Sequence, residues 1–192
     1  MQRGDMAKIS WSAEGEEPAS VITRARGLYA KHGPALARHP LIPGLLAQYL
    51  EAIDLTSHHT RALGVPAFCI ACALRDGVCC FQAVQRRYDE YLLLENLMLG
   101  DQGAWDAGTG SSCYYCGVQG CSLLAKHSFC LNFYCVDIKQ GLGAAAMGVL
   151  QRQVGQELQC QWELERVLMP WLWAEAKNGG PGEELDLHQE GS

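Results

Sequence analysis

The stretch Leu142–Ala176, LGAAAMGVLQRQVGQELQCQWELERVLMPWLWAEA, decides the fold class. Its apolar residues recur at intervals of three and four, which is the spacing of one face of an α-helix. They are Met147, Leu150, Val154, Leu158, Trp162, Leu164, Leu168, Trp171 and Leu172. Pro170 is expected to kink or end this helix because proline lacks an amide hydrogen. The sequence therefore predicts a long amphipathic helix near its C-terminal end.

Three shorter helices are predicted upstream of this stretch. They are Ser20–His32, for which Gly33 is a natural stop, Gly44–Leu55, and Gln82–Leu99, which Gly100 ends. Apart from a tight turn or small hairpin between the later cysteines, no strand pattern is longer than a few residues. The predicted fold class is therefore mainly α, a helical domain with an irregular cysteine-rich metal-binding centre.

The domain organisation follows from length and composition. A chain of 192 residues with 48% hydrophobic residues is long enough for one domain with a sizeable core. Residues 1–17 are polar and acidic and are predicted to form a flexible N-terminal arm, and residues 177–192 a disordered tail. Residues 18–176 are then a single helical cysteine-cluster domain.

Nine of the ten cysteines lie in two short windows. The first window holds Cys69, Cys72, Cys79 and Cys80, and the second holds Cys113, Cys116, Cys121, Cys130 and Cys135. Thiolates at such short spacings can converge on one metal ion or cluster, whereas a hydrophobic core gains nothing from crowded thiols. A disulfide framework is the alternative, and the cellular compartment decides between the two.

The N-terminus and the net charge indicate that compartment and limit the partners. The start, MQRGDMAKISWSAEGEEP, has no apolar signal region, and no apolar run approaches the roughly 20 residues of a membrane span. A cytoplasmic protein is therefore expected, in which clustered thiols stay reduced and act as ligands. The net charge of −6 argues against nucleic-acid binding.

Counting ligands predicts one or two metal centres. A structural zinc ion or a cubane cluster takes four protein ligands, so nine clustered cysteines come near two sites. Each window can form its own site, or each site can draw on both windows across the predicted Gln82–Leu99 helix; the two arrangements stay open. The predicted metal ligands are Cys69, Cys72, Cys79, Cys80, Cys113, Cys121, Cys130 and Cys135.

Three other groups of residues are interpreted separately. Cys160 stands alone in the long predicted helix and is read as a small buried hydrophobe. The pair His58–His59 lies in a polar connection; adjacent histidines can bind zinc or iron, but such a pair is more often solvated or a helix cap. Cys130 and His127 can be drawn as a nucleophilic pair, but at three residues apart they are read as a local ligand pair or a coincidence of spacing. No phosphate-binding loop, dinucleotide fingerprint or nucleophile elbow is present, so whether the protein is an enzyme stays open.

The block CIACALRDGVCC, residues 69–80, resembles the C-x2-C…C-C signature of the YkgJ-like proteins, which are described as zinc- or iron-chelating. The second block of that family is similar to Cys113 before Tyr114–Tyr115, Cys121 after a short turn, and Cys130 after Lys126–His127. The resemblance covers roughly residues 66–136, and Cys116 has no counterpart in it. It implies metal or iron–sulfur binding without a general activity.

The sequence thus favours an iron–sulfur protein, with [4Fe–4S] ahead of zinc. The excess of thiols and the aromatic residues interleaved with cysteines between Phe129 and Cys135 favour a cluster shielded from water. An electron-transfer or redox accessory role is expected, with an unknown protein partner. The alternatives are a structural zinc-binding interaction module and an iron–sulfur enzyme with an open coordination site.

Overall fold

The computed structural model of the chain describes residues 16–68, 84–101, 105, 113–117 and 120–178. The four cysteines of the first window lie outside the described residues, as do residues 1–15 and 179–192 of the predicted arm and tail. The described part is mainly helical, which confirms the predicted fold class at that level. None of its helices is long and apolar enough to cross a membrane.

Helix α1 spans Pro18–Leu36, so the predicted stop at Gly33 is wrong. The helix continues through Gly33 and Pro34 for one more turn. Leu36 is 0% exposed, and its burial in the core favours this last turn. Pro34 has no amide hydrogen and so cannot donate a backbone hydrogen bond within the helix. Because Pro34 lies only two residues before the helix end, just one of the last hydrogen bonds is missing.

Helix α2 spans Ile42–Ala62 and passes the predicted end at Leu55. The pair His58–His59 therefore lies within a helix and not in a polar connection. The polar side chains of these turns bond to their own helix: the hydroxyl of Thr56 donates to the carbonyl oxygen of Ala52 at 3.0 Å, and the Nδ1 of His59 to that of Leu55 at 2.9 Å. Such local bonds satisfy polar groups without ending the helix.

Helix α3 spans Glu90–Met98, which is shorter than the predicted Gln82–Leu99. Asp89 is extended, with φ −99° and ψ 173°, and its carboxylate accepts hydrogen bonds from two first-turn amides at 3.1 and 2.8 Å. Asp89 is therefore the N-cap, and the helix begins after it. Gly100, at φ 93°, follows the helix end, as predicted. A single turn of 3-10 helix, Val84–Arg87, precedes the cap.

A hairpin with two residues in each strand, followed by a short helix, carries Cys116, Cys121 and Cys130. Strand β1, Cys116–Gly117, pairs antiparallel with β2, Gly120–Cys121, and Cys116 lies opposite Cys121. Helix α4, Ser128–Asn132, then carries Cys130. The predicted small hairpin between the cysteines is confirmed.

Helix α5, Val136–Asn178, contains the whole Leu142–Ala176 stretch and continues through Pro170. Its backbone is non-helical at Gly143, with φ 72° and ψ 169°. The helix is therefore kinked at Gly143, which divides it into a short first segment and a long second segment. Leu150, Leu164 and Leu168 of the long segment are 0% exposed. Most of the predicted apolar stripe thus packs into the core, whereas Trp162, which the prediction included, is 50% exposed and Glu157, which it did not include, is buried.

The helices pack mainly as two pairs, α1 against α3 and α2 against α5. The main apolar cluster joins both pairs and includes Cys113, Tyr115 and Leu123 from the cysteine-bearing loops. In a second, smaller cluster, the first part of α5 packs against residues 65–68 and against the loop that precedes α5. The buried members of this cluster are Val65, Tyr134, Ile138, Met147 and Leu150.

Candidate functional site

Cys121 lies within electrostatic range of two other predicted ligands, Cys113 and Cys130. Although the Cys121 residue as a whole is exposed, desolvation of its thiol raises the pKa to about 11. Lys126 acts against this rise, and the charges of Cys130 and Cys113 add to it. The structure thus places Cys121 near each of the other two thiols, but it does not place the three of them to bind one metal ion.

Tyr88 connects two parts of this site through its hydroxyl group. The hydroxyl donates to the Sγ of Cys130 at 3.5 Å and accepts a hydrogen bond from the backbone amide of His127 at 3.0 Å. The ring is 3% exposed and contacts the ring of Tyr115 with 4.9 Å between centroids. Tyr88 therefore holds the first turn of α4 and places a hydrogen bond on the Cys130 sulfur.

Asn96 holds the segment between Cys121 and Cys130 against α3. Its side-chain amide is completely buried and bonds both ways with Ala125: Oδ1 accepts from the backbone amide and Nδ2 donates to the carbonyl oxygen, each at 2.9 Å. Two bonds to one residue fix position and orientation together. Sequence reasoning missed Asn96, but a Glu-Asn pair inside the apolar run YLLLENLML is a readable signal of buried polar residues.

Lys126 and His127 lie next to the thiols. Desolvation raises the pKa of both Cys121 and Cys130, and the positive charge of Lys126 opposes this rise at both thiols. His127 caps α4, because its Nδ1 accepts from the amide of Phe129 at 3.1 Å, and its ring stacks on the Phe129 ring with 5.7 Å between centroids. Desolvation, followed by the charge of Arg87, lowers the pKa of His127.

The residues that flank 69–83 on each side lie near parts of the second cysteine window. Phe68 and Cys135 both pack against the smaller apolar cluster. The side-chain oxygen of Gln85 accepts a hydrogen bond from the backbone amide of Tyr114, next to Cys113. The Gln85 bond is therefore the direct contact between these flanking residues and the second window among the described residues.

The remaining sequence-predicted residues divide between other places. Cys135 packs in the smaller apolar cluster, and the half-buried Cys160 packs on α5 against the main one, as expected of a small hydrophobe. Among the aromatic residues expected to shield the site, Tyr115 and Tyr134 are buried, whereas Phe129 is 47% and Phe133 40% exposed. The aromatic wall is therefore incomplete on the α4 side of the described site.

Within the described ranges, no group of three or more His, Cys, Asp or Glu side chains is placed to bind a metal ion. Cys69, Cys72, Cys79 and Cys80 are not among those ranges, so half of the predicted ligand set lies outside them. Comparison of the chain with family models, curated proteins and solved structures finds no match.

Proposed function

We propose that the chain binds metal through cysteines of both windows, that an iron–sulfur cluster, [4Fe–4S] first, is the bound group, and that its role is electron transfer or redox support. The observation that carries the proposal is the hydrogen bond from the Tyr114 amide to Gln85, together with the packing of Phe68 on the same apolar cluster as Cys135. This arrangement supports a shared site over two separate ones. The proposed ligands are Cys69, Cys72, Cys79, Cys80, Cys113, Cys121, Cys130 and Cys135.

The residue type of the described thiols supports a soft metal group. Cys121 and Cys130 are free thiols, and sulfur is a ligand that soft metals prefer. Desolvation raises the pKa of both thiols, so a bound metal would displace their protons. A bound cluster would supply one-electron transfer. The protein's own contribution is the Tyr88 hydrogen bond to the Cys130 sulfur and the partial exclusion of water, which both tune the potential of thiolate-bound iron.

A structural zinc ion is the second candidate, and the hairpin favours it. Cys116 and Cys121 lie opposite each other on β1 and β2, as cysteines on short hairpins do in zinc sites. The YkgJ-like resemblance is compatible with either metal. In this case the protein would be an interaction module that depends on zinc for folding.

Anaerobic purification with a visible spectrum and assays for iron, sulfide and zinc separates the candidates. We expect a coloured protein that bleaches on reduction and contains iron and sulfide in equal amounts. A colourless protein with stoichiometric zinc would replace the iron–sulfur proposal by the zinc module. A protein without any metal after anaerobic purification would overturn both.

Cysteine variants test the ligand assignment. Cys121→Ser and Cys130→Ser are each expected to lose most of the bound metal, because serine oxygen is a poor ligand for soft metals. Cys160→Ser is the matched control, since Cys160 is also a half-buried free thiol but lies on α5. Loss of metal from Cys160→Ser with full occupancy in Cys121→Ser would contradict the assignment.

A further inference from the structure

Glu95 is a buried carboxyl group at the place where the two helix pairs meet. It projects from α3, which packs on α1, and its exposure is 0%. Both carboxyl oxygens lack a hydrogen-bond partner among the described residues. A buried polar group without a hydrogen-bond partner is rare in folded proteins and therefore needs an explanation.

The groups around Glu95 come from α2, α5 and the α3 cap. Tyr49 of α2 is 0% exposed, and its hydroxyl also lacks a partner among the described residues. From α5, the side-chain amide of Gln161 donates to Glu165 at 3.0 Å and also lies near Glu95, where it opposes the rise of the Glu95 pKa. The charges that act on Glu95 are Glu165 and Asp89, both negative. The charges that act on Tyr49 are those of Glu95, Glu157, Glu165 and Cys160.

This environment is unfavourable for an ionised carboxylate. Removing an ionised group from water without a counter-charge is so costly that the group takes up a proton instead. Burial, followed by the charges of Glu165 and Asp89, raises the pKa of Glu95 well above its ordinary value. A neutral carboxylic acid, in contrast, fits between the apolar residues of the two pairs.

We propose that Glu95 is a pH-sensitive switch between the helix pairs: the α1–α3 and α2–α5 pairs close on the protonated acid and loosen when it ionises. The switch lies close in space to the segment between Cys121 and Cys130, because Asn96, the residue after Glu95, holds Ala125 by two hydrogen bonds. Loosening of α3 would release this anchor between Cys121 and Cys130. The inference itself does not depend on any bound metal.

The sign of the pH effect follows from the raised pKa. The folded protein keeps a proton on Glu95 that the unfolded chain releases at about pH 4.3. The stability contributed by this group is therefore fully present below that pH and is lost as the pH rises through the folded-state pKa. Glu157 and Glu165, whose pKa values burial also raises, act in the same direction.

Urea unfolding of the full chain, as purified, as a function of pH tests the switch in Glu95→Gln, which keeps the shape but cannot ionise. For wild type we expect the folding equilibrium constant to fall as pH rises, by up to about tenfold per pH unit from Glu95 alone. Glu95→Gln should lose this part of the slope. Glu51→Gln, on the exposed side of α2, is the control and should keep it. Parallel profiles for wild type and Glu95→Gln would overturn the proposal.

A second measurement uses wild type alone, in case Glu95→Gln does not fold. The carboxyl carbon of Glu95, in glutamate-labelled protein, should keep the chemical shift of a neutral acid above the pH range in which glutamate ordinarily ionises. Protection of the Ala125 amide against hydrogen exchange should then fall as that resonance titrates. A Glu95 resonance that titrates in the ordinary range, or that titrates while Ala125 stays fully protected, would overturn the proposal. The Glu95 resonance reports on the carboxyl group and not on bound metal, so failure here is distinct from failure of the iron–sulfur proposal.

Discussion

Tyr88 shows how one side chain can organise the candidate site. Its hydroxyl joins a backbone amide to a sulfur atom, and its ring covers Tyr115. Burial, followed by the charges of Cys130 and Cys121, raises its pKa far above the ordinary value for tyrosine, so the hydroxyl keeps its proton and remains a donor. At this scale the site depends on a neutral donor aimed at a thiol.

Tyr88→Phe is expected to destabilise the protein by about 1–3 kcal/mol, because it leaves the half-buried His127 amide and the Cys130 sulfur without their partner. Urea unfolding measures this loss. Tyr29→Phe is the control. Tyr29 is 42% exposed, so loss of its hydroxyl group should change the free energy of unfolding little. Equal effects of the two substitutions would show that the Tyr88 hydroxyl contributes nothing through these bonds.

Helix α5 owes its change of direction to one residue. Gly143 adopts φ 72° and ψ 169°, a region that residues with a side chain rarely enter. The break separates the segment that follows Cys135 from the long segment that packs on α2. At the scale of the element, a glycine thus decides how the last cysteine of the second window is joined to the core helix.

Gly143→Ala and Gly155→Ala should have opposite effects on stability. Alanine at 143 is strained by about 1–3 kcal/mol, because its Cβ disfavours this backbone conformation. At 155 an added Cβ meets nothing within 4 Å and lies inside the helix, so alanine should stabilise by about 0.5–1 kcal/mol. Thermal unfolding of both variants provides the comparison. Stabilisation by Gly143→Ala would mean that the helix continues unbroken through this residue.

At the scale of the whole molecule, the residues around the cysteine windows pack in two different apolar clusters. The second window packs into the main core with α3, and the residues before the first window pack on the start of α5. A metal held by both windows would therefore cross-link both apolar clusters. Its binding energy would then contribute to the stability of the entire fold.

Removal of the metal is accordingly expected to lower the thermal unfolding midpoint of the whole protein. Anaerobically purified protein is compared before and after chelation, with circular dichroism reporting the helices. The control is Cys121→Ser, which should begin without most of its metal and respond little to the chelator. An unchanged midpoint after complete loss of metal would show that the centre, if present, does not connect the two clusters.

The sequence by itself determined the features that depend on near neighbours in the chain. The three-and-four spacing of Leu142–Ala176 predicts α5, because the face of a helix is a local property. Gly100 and the hairpin near Cys116 and Cys121 were readable for the same reason. The clustering of cysteines also predicts which residue types would form a site, though not which of them meet.

Only the tertiary structure decided the rest, because contacts distant in sequence override local preference. Burial of Leu36 carries α1 past the stop expected at Gly33. The approach of Cys130 to Tyr88 joins residues 42 positions apart. The apolar run around Glu95 signals a buried position, but only the packing of the two helix pairs shows that both carboxyl oxygens are enclosed without a hydrogen-bond partner among the described residues. No spacing rule encodes such an environment, since it arises from elements that meet only in the folded chain.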